Sequence, residues 1–120
     1  MVLKKPTSKL GALAEDFAVS LLKEKGYRVV ERNFRSRFGE IDIVALKDEC
    51  LIFVEVKARW SLKFGLPEES VTPGKIWKIG KTGEYYSILH PDLPKKLRID
   101  VVALQIVGSN IVSSKIITID

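Results

Sequence analysis

Charged side chains interrupt two strongly apolar segments of the chain. Glu40 and Asp42 stand within a run of isoleucine, valine and alanine, and Glu55 and Lys57 stand within a second run that also contains phenylalanine. Segments this apolar are usually buried on at least one face, and burying an unpaired carboxylate is costly in free energy. Some other group must therefore compensate these charges.

The spacing of the four residues predicts how they meet. Residues two apart in a strand share a face, so Glu40 groups with Asp42 and Glu55 with Lys57. If the chain makes an even-length turn at residues 48–49, Asp42 lies opposite Glu55 and Glu40 lies opposite Lys57. The sequence therefore predicts two carboxylates side by side on adjacent strands.

Facing carboxylates have Cβ atoms about 4.5 to 5.5 Å apart and repel each other unless a cation lies between them. Mg²⁺ or Mn²⁺ suits such a site, because Cys50 is the only cysteine and His90 the only histidine, which leaves no cluster for zinc. The alternative is a ladder of Glu–Lys and Asp–Arg salt bridges on a solvated face. Spacing alone leaves both interpretations open.

The two segments also resemble a known signature. Residues 39–45 (GEIDIVA) and 53–59 (FVEVKAR) are similar to the motifs of the YraN-like bacterial family, which is related to Holliday-junction resolvases and restriction endonucleases. The resemblance covers nearly the whole chain. Its other matching positions are Gly11, Glu15, Gly26, Tyr27, Asn33, Lys75, Arg98 and Asp100.

The resemblance implies a restriction-endonuclease-like fold with a PD-(D/E)xK type site. In such a site Asp42 and Glu55 would bind Mg²⁺ or Mn²⁺, and Lys57 would assist the attacking water. Glu15, on the first predicted helix, would be an additional acidic residue of the site. Ile41 holds the position of the motif's proline, which is often missing in this superfamily.

Three charged residues have plainer interpretations as well. Glu15 lies at the flank of its helix, where an ordinary solvent-facing glutamate is the alternative to a site residue. Lys75 either contacts a phosphate from the second helix or is an exposed lysine of a first turn. Glu40 is expected either to form a salt bridge or to contact the residues that bind the metal without binding it itself.

The pattern of apolar residues predicts the elements that position these groups. A first helix runs from near Ser8 to a C-terminal Gly26, with an apolar stripe at helical spacing. Thr72 and Pro73 begin a second helix that extends toward Leu89, with an interruption near Gly80 because glycine lowers helix stability. The stripe of the first helix comprises Leu10, Leu13, Ala14, Phe17, Ala18, Leu21 and Leu22.

Segments rich in β-branched and aromatic residues predict five strands. Residues 60–71 predict a mobile loop. The resulting fold class is α/β, a mixed central β-sheet flanked by helices in the order α-β-β-β-α-β-β. The predicted strands cover residues 27–34, 38–46, 50–58, 97–107 and 111–119.

Length and composition narrow the class of protein. The chain has 120 residues, of which 46% are hydrophobic. We therefore expect one globular domain spanning 1–120. No apolar run approaches the roughly 20 residues that span a bilayer, so we expect a cytoplasmic protein without membrane contact. Cys50 is expected to be a buried thiol, and His90, before Pro91, to end a helix.

A net charge of +5 and a pI near 9.4 permit an anionic partner such as DNA. The alternative is an ordinary solvated rim of basic residues. The candidate nucleic-acid contacts are Arg35, Arg37, Arg59, Lys63 and Lys75.

Three function classes follow from these observations. The leading one is a metal-dependent nuclease that hydrolyses phosphodiester bonds in structured or branched DNA, for which a homodimer would be suitable. The second is a nucleic-acid-binding module with an endonuclease-like fold and little or no cleavage. The third is a structural protein whose strand carboxylates are salt-bridged.

Overall fold

The computed structural model describes residues 8–60 and 66–119, and the side chains from residue 11 onward. The predicted α/β class and element order are confirmed. A short 3-10 helix, Pro67–Ser70, lies in the predicted loop, and residues 61–65 of that loop lie outside the described residues. The helices and strands are α1 (Ser8–Glu24), β1 (Arg28–Ser36), β2 (Gly39–Lys47), β3 (Cys50–Arg59), α2 (Pro73–Leu89), β4 (Lys96–Val107) and β5 (Asn110–Ile119).

The five strands form one mixed sheet in the order β1-β2-β3-β4-β5. Only β3 and β4 are parallel, and α2 lies in the crossover that this pairing requires. Each helix covers one face of the sheet with its own apolar cluster. The α1 cluster includes Ala18 and Leu22 against Ile43 and Ile52, whereas the α2 cluster is formed by Ile41, Val44, Leu51, Phe53, Ile79 and Tyr86.

A tight hairpin joins β2 and β3. Asp48 and Glu49 both have positive φ, 53° and 63°, as a two-residue turn between twisted strands requires. The strands pair from Lys47↔Cys50 to Ile43↔Val54, which is the predicted register. The next positions outward are Asp42 and Glu55.

The buried face of α1 contains fewer of its apolar residues than the sequence pattern predicts. Ala14, Ala18 and Leu22 are buried at intervals of one turn, but Leu13 and Phe17 remain 49% and 36% exposed. The prediction that Leu13 and Phe17 face the core is wrong, because α1 contacts the sheet along a line of small residues. Gly26 ends the helix with a φ of 92°, as expected.

Helix α2 begins and ends as predicted but is not interrupted at Gly80. The Thr72 hydroxyl caps it by accepting the N–H of Lys75 at 3.2 Å. Gly83 is required because the helix lies close to the sheet there: a Cβ on Gly83 would be 2.4 Å from Cε2 of Phe53. Packing against β3 therefore compensates the low helix propensity.

The lone cysteine and histidine have structural roles. Cys50 is buried and free, and His90 is the C-cap residue of α2. Nδ1 of His90 lies 2.9 Å from the Tyr86 carbonyl oxygen, and its ring stacks on the Tyr86 ring at 3.9 Å. In the described parts of the chain, no helix is long and apolar enough to cross a bilayer.

We expect opposite stability changes from alanine at the two α2 glycines. Gly83→Ala should lower the free energy of unfolding by about 1 to 3 kcal/mol, because its methyl group overlaps the buried Phe53 ring. Gly80→Ala meets its nearest atom at 3.9 Å and should raise stability by up to about 1 kcal/mol through helix propensity. Urea denaturation measures both. Equal effects at the two positions would contradict the close packing of Gly83.

Candidate functional site

The site begins where β2 and β3 stop pairing. Their ladder ends at Ile43↔Val54, and the backbone N–H of Val56 instead donates to Oδ2 of Asp42 at 2.8 Å. Ile41 and Ile43 are two residues apart yet pack in different clusters, under α2 and α1 respectively. The face alternation of β2 therefore breaks at Asp42, which lies at the junction of the two faces.

Glu55 and Lys57 continue along β3 on the α2 side. Glu55 is 7% exposed, and its Oε2 lies 3.0 Å from Nζ of Lys75 in the first turn of α2. Lys57 is partly buried and has no ion-pair partner among the residues that the structure describes. The Thr72 cap fixes the helix start and thereby brings Lys75 to Glu55.

The electrostatics of the group are strongly perturbed. Burial, together with the charge of Glu55, raises the pKa of Asp42 to about 7, although the Val56 N–H partly offsets this effect. Burial and the neighbouring charge of Lys75 lower the pKa of Lys57. Burial alone would lower the pKa of Lys75, but the hydrogen bond and charge of Glu55 raise it.

Two open clefts meet at this point. The larger, of about 670 Å³, lies beside α2 and is also lined by Gly39, Glu40, Lys75 and Lys78. The smaller, of about 410 Å³, lies beside α1 and is also lined by Gly11, Glu15 and Trp60. Both clefts are lined by Asp42, Val56 and Lys57.

Glu15 is therefore brought to the same place as Asp42 and Lys57, from the opposite helix. Its side chain is 17% exposed and does not project freely into solvent, while its role in the site stays a prediction. It accepts hydrogen bonds from the guanidinium of Arg32 and the amide of Asn33. Its negative charge contributes to the raised pKa of Asp42.

Glu40 does not take the predicted position opposite Lys57. It pairs with Arg35 across the β1–β2 ladder, with a distance of 3.9 Å from Arg35 Nε to its Oε1. The reason is the early end of β2–β3 pairing, which leaves Glu40 with β1 as its neighbour. Glu40 lines the larger cleft but is exposed, so its charge is largely solvated.

The candidate nucleic-acid contacts are distributed unevenly. Lys75 lines the larger cleft, and Arg59 lies near enough to lower the pKa of Lys57. Arg35 is highly exposed beside Glu40, and Arg37 lies over the Phe38 ring at 5.1 Å. Lys63 lies outside the described residues.

Sequence reasoning missed three residues around the site. Lys78 lines the larger cleft one helical turn after Lys75, and helical periodicity from Lys75 was sufficient to find it. Arg32 is not among the candidate residues that the sequence analysis names, and Asn33 is there only a matching position of the family signature. Their contacts with Glu15 join α1 to β1, and no local pattern predicts such a contact.

The donors available at the site are oxygen atoms and amines. Within residues 8–60 and 66–119, no three acidic, histidine or cysteine side chains lie close enough to enclose a metal ion by themselves. Asp42 and Glu55 provide carboxylate oxygens, the ligand type that hard divalent cations prefer. A cation held there needs further ligands from water or substrate.

Comparison with known proteins agrees with the two sequence motifs. A relative from Caldicellulosiruptor bescii is 48% identical over 102 residues, covering 84% of this chain and 86% of its own length. A relative from Persephonella marina is 45% identical over 101 residues, covering 84% and 85%. Both are named only as UPF0102 proteins.

The family profile extends across both helices and four strands. The profile of "Uncharacterised protein family UPF0102" matches residues 14–104, from Ala14 in α1 to Leu104 in β4, and so includes Asp42, Glu55 and Lys57. The chain therefore belongs to family UPF0102, the YraN-like family that its GEIDIVA and FVEVKAR motifs indicate.

Proposed function

We propose that this protein is a metal-dependent nuclease that hydrolyses phosphodiester bonds in structured or branched DNA. The observation that carries the proposal is the meeting of Glu55, which is buried, and Asp42, which is partly buried, with Lys57 at the junction of two clefts. Perturbed ionisable groups gathered in a cleft are typical of catalytic sites. The preference for branched DNA rests on the resemblance to resolvases.

The residues fit Mg²⁺ or Mn²⁺ as the cofactor. The charge of Glu55 raises the pKa of Asp42, so a cation between the two carboxylates would relieve a repulsion that is present in the folded protein. Mg²⁺ usually keeps several waters and is held by one or two carboxylates together with substrate phosphate oxygens. A site with two such carboxylates, open to a large cleft, matches that requirement.

Each residue then has a distinct task. When bound, the metal supplies charge stabilisation at the phosphoryl group and lowers the pKa of a bound water. The Val56 N–H holds one oxygen of Asp42 in place, so the carboxylate does not have to be ordered when the substrate binds. Lys57, whose own pKa is lowered, can orient the attacking water or neutralise charge on the phosphate.

The cations around the larger cleft support DNA as the substrate. Lys75 and Lys78 line it from α2, Arg35 lies beside Glu40 of the same lining, and Arg37 belongs to the β1–β2 turn. Arg59 belongs to the same proposed surface, and Lys63, which lies outside the described residues, stays a candidate contact from the sequence alone. Lysine and arginine neutralise phosphates without reading sequence, as a structure-selective nuclease requires.

A panel of DNA substrates tests the activity. Duplex, nicked, flapped, single-stranded and four-way DNA should be incubated with Mg²⁺ and with Mn²⁺, and we expect cleavage of the branched forms in preference to the plain duplex. Binding of these forms without cleavage under either metal would favour the nucleic-acid-binding module instead.

Substitutions at the site should separate catalysis from folding. Asp42→Asn and Glu55→Gln should abolish cleavage by weakening metal binding, because an amide is a poorer ligand than a carboxylate. Lys57→Ala should reduce cleavage at least about 100-fold, typical of a group that acts in the transition state, while metal binding persists or tightens. Cleavage rates and Mn²⁺ affinity measure these effects.

Glu40→Gln is the matched control, since Glu40 lines the same cleft but is exposed and paired with Arg35. It should retain most of the cleavage rate. Metal-dependent cleavage that survives in both Asp42→Asn and Lys57→Ala would show that the site lies elsewhere or that the activity is a contaminant.

Metal binding should depend on pH through Asp42. Its pKa of about 7 exceeds the ordinary 3.8, so below pH 7 a proton must leave before a cation binds. Mn²⁺ affinity should rise by up to about tenfold per pH unit below 7 and level off above it. Calorimetry in two buffers of different ionisation enthalpy should detect proton release at pH 6 but little at pH 8. Equal affinity at pH 6 and pH 8 would contradict the assignment.

DNA binding should be mainly electrostatic and depend on the cleft lysines. The logarithm of affinity should fall linearly with the logarithm of salt concentration, with a slope of about 0.9 per neutralised phosphate. Lys78→Ala should reduce the slope by about that amount, whereas Lys96→Ala should not, because Lys96 pairs with Cys50 at the far end of β3. Fluorescence anisotropy at several salt concentrations measures the slope. An equal loss in both variants would indicate non-specific attraction.

A further inference from the structure

Asn33 has an unusual backbone conformation in the middle of β1. Its φ is 56°, in the left-handed region that a non-glycine residue seldom adopts, although asparagine tolerates it best. The neighbouring pairs on the β1–β2 ladder are Arg32↔Ile43 and Phe34↔Ile41, so Asn33 is level with Asp42. The distortion therefore lies beside the candidate site.

The conformation places two consecutive side chains against the same helix. In a regular strand neighbouring residues point to opposite faces. Here Glu31 and Phe34 both contact Tyr86 of α2, whereas Arg32 and Asn33 both contact Glu15 of α1. The left-handed turn of the backbone at Asn33 is what interrupts the alternation.

The hydrogen bonds that Arg32 and Asn33 donate to Glu15 all reach the same carboxylate oxygen. Nε and Nη2 of Arg32 lie 3.1 and 2.9 Å from Oε1, and Nδ2 of Asn33 lies 3.0 Å from it. Among the described residues, Oε2 accepts no hydrogen bond. Glu15 shares the smaller cleft with Asp42 and Lys57, so a carboxylate fixed through one oxygen keeps the other available there.

We propose that Arg32 and Asn33 are positioning residues that hold Glu15 so that its second oxygen accepts a hydrogen bond from a water bound to the metal. The inference rests on the proposed nuclease function. A carboxylate on a helix surface would otherwise sample several rotamers, and fixing it in advance removes that freedom before substrate binds. The unfavourable conformation of Asn33 is consistent with the strain that proteins retain at functional sites.

Substitutions at Asn33 test this assignment directly. Asn33→Gly keeps the positive φ and removes the amide donor, and Asn33→Asp replaces the donor by a second negative charge. Both should weaken Mn²⁺ binding and lower kcat for DNA cleavage about 10-fold or more, as loss of a residue that orients a ligand typically does. KM for DNA should change little, because Asn33 is not among the residues that line the larger cleft.

Two controls distinguish positioning from simple stabilisation. Asp16→Asn removes the other ion pair of Arg32, at 2.8 Å, without touching Glu15, and should leave Mn²⁺ affinity and kcat unchanged. Combining Glu15→Gln with Asn33→Asp restores a hydrogen bond between the two positions, but the side chain at position 15 becomes the donor and the one at position 33 the acceptor. If Glu15 serves the metal, this pair should recover melting temperature but not Mn²⁺ affinity.

Mn²⁺ binding by the wild type, followed by electron paramagnetic resonance without DNA, separates this inference from the proposed function. If the wild type binds Mn²⁺ while Asn33→Gly and Glu15→Gln lower only the melting temperature, the cluster is a structural tie and the inference fails alone. If the wild type neither binds Mn²⁺ nor cleaves DNA, both proposals fail.

Discussion

The rest of the site depends on one hydrogen bond, from the Val56 N–H to the carboxylate of Asp42. Strands β2 and β3 stop pairing after Ile43 and Val54, which frees the partly buried backbone N–H of Val56 on a central strand. An unsatisfied donor there would be costly, and Asp42 satisfies it with a side-chain oxygen instead of a carbonyl. The same bond holds Asp42 beside Glu55. Asp42 is also the position at which the alternation of β2 side chains between the two faces of the described core is interrupted. The end of the β2–β3 hydrogen-bond ladder and the pairing of Asp42 with Glu55 therefore have the same cause.

Two aspartates of the same sheet, Asp100 and Asp42, have very different surroundings. Asp100 is fully buried in β4, but it accepts the Tyr27 hydroxyl at 2.6 Å and two guanidinium nitrogens of Arg98 at 3.1 and 3.0 Å. Burial and the bond to Asp100 raise the pKa of Tyr27 to about 12, so that phenol remains a donor. This cluster is satisfied within the protein and ties the start of β1 to β4.

Asp42 has one neutral N–H and a second carboxylate as neighbour, so its ionised form is stabilised far less. The contrast favours Asp42 over Asp100 as a ligand of the proposed metal site.

The helices contribute to the site by packing closely against opposite faces. Small residues of α1 bring Glu15 to the smaller cleft, and Gly83 lets α2 lie against Phe53, so that Lys75 reaches Glu55 at the start of the same helix. Lys75 then neutralises one carboxylate from the protein itself, whereas the proposed metal would neutralise both. Glu55 therefore has a positively charged partner before the proposed metal binds, and a buried carboxylate is tolerated only when it is paired.

Local pattern was sufficient to determine much of this protein. Capping residues and glycine predicted both helices, the two-residue turn at 48–49 fixed the β2–β3 register, and that register placed Asp42 next to Glu55. These features depend on neighbours in the chain or on a single hairpin, so their physics is contained in short segments. Tertiary structure decided the rest: the partner of Glu40, the exposure of Leu13 and Phe17, the ion pair of Lys75, and the convergence of Arg32 and Asn33 on Glu15. Each joins elements distant in sequence, and the outcome depends on how closely a helix approaches the sheet and where a strand breaks its alternation. Those quantities are set by packing of the whole core, which no local pattern encodes.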